Sequence, residues 1–234
     1  MLLESKELTK RFGSKTAVDH VDLALEGGHV YGLLGPNGSG KTTWMKMAAG
    51  LVKPTAGTVE YNGQPVGIAS RRDIAYMSTE PYFYSWMRIG DAGKYYADFF
   101  ADFSMEEYGK LLDRMGLSAS AKITSLSTGM TAKMKIAVTM ARDAKAWMLD
   151  EPFNGIDLLA RDDIRNCILD RVKGDKLLLL SSHLVEELEA IADRAVFIDH
   201  GHLVGVYDVR ELREQEGTTL SDRYRAVYGH TEVE

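Results

Sequence analysis

The segment Gly35-Pro36-Asn37-Gly38-Ser39-Gly40-Lys41-Thr42 fits the pattern G-x-x-x-x-G-K-[ST]. Its glycines let the chain curl so that successive backbone N–H groups, and the N-terminus of the helix that follows, converge on phosphate oxygens. Lys41 is placed to reach the β- and γ-phosphates, and Thr42 offers a hydroxyl to Mg²⁺. Trp147-Met148-Leu149-Asp150-Glu151 is an apolar run that ends in two carboxylates. If strand geometry continues to the end, their side chains point to opposite sides. Asp150 then suits the Mg²⁺ shell, and Glu151, aimed at the γ-phosphate, suits orienting and deprotonating an attacking water. Read alone, the same pair is also how a strand leaves for solvent.

Positioning these groups takes alternating elements. Val30 to Leu34 reads as a buried strand and Lys41 to Leu51 as a helix ending near Pro54. Thr58 to Tyr61, followed by Asn62-Gly63, reads as a hairpin with a tight turn. Helical spacing runs from Ser104 to Met115 and from Thr131 to Ala141. Ala146 to Leu149 and Leu177 to Leu180 are unbroken apolar runs, as expected of parallel strands covered on both faces, with a crossover helix over Leu158 to Val172 between them. The expected fold is α/β: a P-loop NTPase core with a parallel sheet, an N-terminal antiparallel β subdomain and an inserted helical subdomain.

With 234 residues, 45% of them hydrophobic, one sizeable core is expected. The single Cys167 has no partner for a disulfide and is expected to be inert packing in a reducing setting. Met1 to Glu7 has no signal-peptide h-region, and no apolar stretch approaches the roughly 20 residues that span a bilayer. A net charge of −6 argues against a broad basic face, so no nucleic acid partner is expected.

A phosphate loop alone names a nucleotide site and no job. Three more segments stand around it in a fixed order. Leu126-Ser127-Thr128-Gly129-Met130 precedes the Asp-Glu pair, Pro152-Phe153-Asn154-Gly155-Ile156-Asp157 follows it, and Leu180-Ser181-Ser182-His183 comes after. In this order, over about residues 2–205, the chain resembles the ABC ATPases. The first segment stands in the place of their LSGGQ signature, the second is similar to their D-loop, and His183 looks like their switch histidine. Phe12, followed by Gly13, matches their aromatic A-loop position. The resemblance implies one ATPase domain over residues 1–215, with its helical subdomain at about 83–140 and a tail at 216–234. It implies ATP and Mg²⁺ as cofactors and catalysis by Glu151, His183 and Lys41. ATP would meet Gly35, Pro36, Asn37, Gly38, Ser39, Gly40, Lys41, Thr42 and Thr43, with Phe12 stacked on adenine and Ser127, Gly129 and Asp157 also in contact. Mg²⁺ would be held by Thr42 and Asp150. Apart from the resemblance, Ser127 also reads as an ordinary helix cap, His183 as a structural histidine and Phe12 as a core ring.

In that family the signature of one ATPase subunit covers ATP on the P-loop of another, so a second subunit, identical or not, is an implied partner. The implied function is a motor that turns ATP and water into ADP and phosphate and energises movement, expected to be export, through a separate transmembrane permease. That places the chain on the cytoplasmic face of a membrane. The aromatic-rich segment Tyr82 to Phe103 serves either the subdomain's own core or docking to the permease, with Tyr82, Tyr84 and Trp86 as the docking candidates. Two positions depart from the family pattern. Met130 replaces the usual Gln, and Thr79 stands where the Q-loop glutamine is expected, with Glu80 beside it. The Thr79 hydroxyl is too short to reach a metal directly, so a backbone hinge is expected there. Two other readings fit less well: a non-transport ABC ATPase acting on DNA or ribosomes usually has coiled-coil insertions or paired motors, and a P-loop kinase would not explain the signature and D-loop.

Overall fold

Burial along the strands separates them into two kinds, which build different sheets. In the computed structural model, which describes residues 2–229, β1 (Leu2–Phe12) and β2 (Lys15–Glu26) pair antiparallel. β2 alternates, burying Val21, Leu23 and Leu25 between exposed neighbours. β3 (Val30–Leu34), by contrast, is almost wholly buried, as befits a central parallel strand. After α1 (Lys41–Ala48) come β4 (Ala56–Tyr61) and β5 (Gln64–Pro65). Asn62 and Gly63 between them have φ of 50° and 75°, the two-residue turn expected of Asn-Gly. β6 (Ile74–Met77) leads into α2 (Ile89–Phe99), α3 (Met105–Arg114) and α4 (Thr128–Met140). Then follow β7 (Ala146–Asp150), α5 (Leu158–Leu169), β8 (Leu177–Ser182), α6 (Val185–Glu189), β9 (Arg194–Asp199), β10 (His202–Asp208), α7 (Val209–Glu214) and α8 (Leu220–Tyr228).

One sheet has the order β2-β1-β4-β5, all antiparallel, and the other β10-β9-β3-β8-β7-β6, parallel except at the β10–β9 pair. Because strand side chains alternate, the parallel sheet divides the core in two. Trp147, Leu149, Leu178 and Leu180 face the helices of the insertion and the C-terminal half. Met148, Leu177 and Leu179 face α1 and the antiparallel sheet, where Trp44 is fully buried and its Nε1 donates to Ser5 Oγ at 3.3 Å. α1 stops at Ala48, before the expected Leu51, because Gly50 turns into the left-handed region with φ of 69°. α4 starts at Thr128, ahead of the expected Thr131, because Ser127 caps it, its Oγ accepting from the Met130 N–H at 3.2 Å.

Residues 216–229 hold more structure than their polar composition signals. α8 lays Leu220 and Tyr228 into the core, with Tyr224 and Val227 packed beside them, so half of its apolar face is tyrosine, which hydropathy counts as polar. The Tyr228 hydroxyl shares its one proton between the carbonyls of Ile198 (3.1 Å) and Leu34 (3.4 Å), the last residue of β3. α8 is thereby tied to the strand that launches the phosphate loop. Tyr228→Ala is expected to cost about 3–5 kcal/mol in urea denaturation and Tyr228→Phe about 1 kcal/mol. Wild-type stability in Tyr228→Ala would show that α8 is dispensable to the core.

Candidate active site

Past Leu34 the chain turns through glycines that no other residue replaces. A Cβ on Gly35 would run into the Ile198 carbonyl oxygen, and one on Gly40, at φ 111°, into that of Ala17. Gly40 also opens α1 with no side-chain cap, which leaves the first-turn N–H groups to an anion. Lys41 is 6% exposed, and its Nζ donates to the carbonyls of Gly35 (2.6 Å) and Pro36 (3.1 Å), leaving one of its three N–H donors for a ligand. Burial lowers its pKa, opposed by the nearby carboxylates of Glu151 and Asp150. A cavity of about 300 Å³ over the loop is lined by Asn37 to Thr43 together with Lys15, Ala17, Thr79 and Glu151.

The two carboxylates part by a different route from the expected pleat. β7 ends at Asp150, and Glu151 takes a left-handed conformation with φ of 49°. Asp150 is fully buried, accepting from the hydroxyls of Ser181 (2.6 Å) and Tyr76 (3.2 Å). Among the described residues no cation lies within ion-pair distance of it. A buried carboxylate with only neutral partners, at a strand end beside the phosphate cavity, fits a site for a hard cation. Glu151, whose side chain is 13% exposed, instead faces His183 Nδ1 at 2.9 Å and Lys41 Nζ at 3.9 Å. Burial raises the Glu151 pKa, opposed by His183 and Lys41 and reinforced by Asp150, which suits a base poised nearer neutrality than a free carboxylate. The Ser181 hydroxyl serves both residues, since it also accepts from the Glu151 N–H at 2.9 Å.

The structure thus brings Gly35 to Thr43, Glu151 and His183 to one place, with Asp150 at its edge. Ser127, Gly129 and Asp157 lie outside the lining of this cavity. Ser127 is exposed at the start of α4, and Gly129 packs so closely on Gly155 that a Cβ would stand 2.6 Å from its carbonyl oxygen. Asp157 caps α5, accepting from the Ala160 N–H at 3.0 Å. Phe12 is 52% exposed, which removes the core reading, and Lys10 Nζ stands 4.9 Å over its ring. Thr79 lines the cavity, whereas Glu80 turns to Lys46 at 2.8 Å. Tyr82 is half-buried; Tyr84 and Trp86 are exposed and stacked. Sequence reasoning gave no role to Ser181, Tyr76 or Lys15. Ser181 sat inside the quoted Leu180 to His183 segment, while nothing in spacing marked the other two.

Fold and site together define a P-loop nucleoside triphosphatase. A family model described as ABC transporter matches residues 18–154, more than half the chain. The chain is also 30% identical to Nod factor export ATP-binding protein I of Burkholderia lata, over 99% of its length and 83% of the relative. It is 28% identical to the ABC transporter ATP-binding protein YtrB of Bacillus subtilis, over 92% and 74%. A solved ATP-binding subunit of an ABC transporter superposes with a TM-score of 0.83 at 26% identity, over 97% of this chain and 99% of that one. An ATP-binding cassette solved as a dimer bound to ADP and Pi shares the fold, with a TM-score of 0.78 at 20% identity, over 88% and 98%. The chain belongs to the ABC transporter family, as an ATP-binding subunit and an ATPase.

Ser181→Ala removes the hydroxyl shared by Asp150 and Glu151 and is expected to lower kcat about 10- to 100-fold, the usual scale for a supporting hydrogen bond at a metal site. Steady-state ATPase assays on protein with wild-type circular dichroism check this. Wild-type turnover would show that the shared hydroxyl positions neither carboxylate.

Proposed function

We propose that this chain is the motor of an exporter, hydrolysing ATP with Glu151 as general base and passing the work to a separate permease. One contact set supports this reading: the Glu151 carboxylate stands on the wall of the phosphate cavity between His183 Nδ1 (2.9 Å) and Lys41 Nζ (3.9 Å). A water held by one Glu151 oxygen gives its proton to that carboxylate while the water oxygen bonds to the γ-phosphorus. The bond to the bridging oxygen breaks, and ADP leaves with the electron pair. Lys41 neutralises charge on the phosphate oxygens, and His183 holds the Glu151 carboxylate while contacting the γ-phosphate. Thr42 and Asp150 would hold Mg²⁺, which when bound neutralises charge on the β- and γ-oxygens. The backbone N–H groups of Gly35 to Thr43 grip the phosphates, and Phe12 stacks on adenine.

Ser127 and Gly129 act across a dimer, contributed to the site of a facing ATPase subunit; their absence from the lining of their own phosphate cavity and the exposure of Ser127 favour this. Asp157 caps α5 at the same interface. Tyr84 (57% exposed), Trp86 (69%) and Phe99 (68%) form an apolar surface suited to the permease. Tyr82, half-buried, belongs to the packing beneath it. No helix among the described residues is long and apolar enough to cross a membrane. Work through a permease places the chain on the cytoplasmic face. Export is favoured by the name of the Burkholderia relative.

Glu151→Gln is expected to bind ATP, lose hydrolysis and elute as a dimer in size-exclusion chromatography with Mg-ATP; near wild-type hydrolysis would remove Glu151 from the base role. Phe12→Ala is expected to weaken ATP binding by about 1–2 kcal/mol, with Phe12→Tyr close to neutral. Unchanged affinity in Phe12→Ala would take the ring out of the nucleotide site. Thr79→Ala is expected to lower kcat by less than about tenfold, under roughly 1.4 kcal/mol of barrier. A hundredfold loss would place the hydroxyl at the metal or the water.

A further inference from the structure

Lys135 is a charge buried where the ATPase reaction, as described above, has no use for it. It sits on α4, about two turns after Ser127, and is 6% exposed. Its three ammonium donors go to three successive backbone carbonyls: Ser78 at 2.9 Å, Thr79 at 2.8 Å and Glu80 at 2.8 Å. Among the described residues no carboxylate stands within ion-pair distance of it. The Tyr82 ring supplies a further face, 5.1 Å from the same nitrogen. Burying an ammonium without an ion partner is expensive unless every donor is satisfied, so a neutral residue would be the easier filling for this spot.

What the cation organises is a connector. Upstream, Thr79 lines the phosphate cavity with Lys41, Thr42 and Glu151. A second cavity, of about 310 Å³, joins Thr79, Lys135, Asp150 and Glu151. Downstream, a few residues past the clamped carbonyls, come the exposed and stacked Tyr84 and Trp86, whose ring centroids are 5.8 Å apart. The Glu80 side chain is pinned from the other side by Lys46 of α1 at 2.8 Å.

We propose that Lys135 is a positioning residue that fixes segment 78–82 as one rigid piece, so that a change at the phosphate cavity felt by Thr79 reaches the Tyr84–Trp86 surface. The segment would otherwise be a chain of three free carbonyls, and a γ-phosphate beside Thr79 would move only Thr79. With the carbonyls tied to one nitrogen, displacement of Thr79 shifts Ser78, Glu80 and the Tyr82 ring with it. The inference rests on the proposed placement of the γ-phosphate beside Lys41 and Glu151.

Tryptophan fluorescence gives a local readout, since Trp44 and Trp147 are fully buried and Trp86 is exposed. Acrylamide quenching is measured with and without a non-hydrolysable ATP analogue and Mg²⁺, with Trp86→Phe to identify the signal. In the wild type the nucleotide is expected to change the quenching of Trp86 by about twofold or more. In Lys135→Met, Trp86 is expected to be more quenchable without nucleotide and indifferent to it, and chymotrypsin to cut at Tyr82 to Trp86 about tenfold faster. Nucleotide affinity should stay within about threefold, and Lys135→Arg, which keeps charge and donors, should restore most of the response. A Lys135→Met protein whose Trp86 responds as in the wild type would overturn the inference, as would a wild type whose Trp86 ignores the nucleotide. A wild-type or Glu151→Gln protein that fails to bind the nucleotide would instead strike the site reading.

Discussion

Lys41, Asp150 and Glu151 are taken out of water where β3, β7 and β8 end, and the cost of desolvating them governs the local architecture. Moving a charge into a protein interior costs several kcal/mol unless fixed dipoles replace the lost water. Here those dipoles come from backbone and hydroxyls that cannot move away: the Gly35 and Pro36 carbonyls for Lys41, and the Ser181 and Tyr76 hydroxyls for Asp150. These partners stay in place because β3, which leads into the loop, and β8, which carries Ser181, are central and covered on both faces, and because β6, which carries Tyr76, pairs along β7. The glycines at 35 and 40 follow from the same demand, since the loop must pass against the Ile198 and Ala17 carbonyls to wrap the lysine.

The helical insertion repeats the device with cations. Arg142, 3% exposed, donates to the carbonyls of Ile74 (3.1 Å), Arg71 (3.3 Å) and Arg72 (2.6 Å), with Asp102 on its Nε at 3.1 Å. Lys135 grips the carbonyls just past the other end of β6. The edge strand is thus held at both ends by cations from α4 and its C-terminal extension, which locks the helix capped by Ser127 to the sheet that carries Asp150. Buried ion–carbonyl contacts of this kind are directional where apolar packing is not, so they fix register between two elements that could otherwise slide.

Legibility in the sequence followed the locality of the signal. The phosphate loop, the Asp-Glu strand end and the Asn-Gly hairpin are each encoded within a few residues, and the structure places them where those residues predict. Strand pleat predicts the parting of Asp150 and Glu151, but the structure makes it by a left-handed turn at Glu151, whose N–H donates to the Ser181 hydroxyl thirty positions away. Ser181, Tyr76, Lys135 and Arg142 act through such distant contacts, and no periodicity marks them. α8 gives little signal because half of the face it packs on the core is tyrosine. The aromatic segment was ambiguous as composition and resolves residue by residue, with Tyr82 inside and Tyr84 and Trp86 outside.

In the proposed mechanism Glu151 activates the attacking water above a γ-phosphate held by Lys41 and His183. A crystal structure of Glu151→Gln with Mg²⁺ and ATP tests it most directly. The γ-phosphate is expected within hydrogen-bond reach of Lys41 Nζ and His183, with a water in line between the phosphorus and the side chain at position 151. A γ-phosphate seated out of reach of Lys41, or an in-line water held by some other residue, would contradict it.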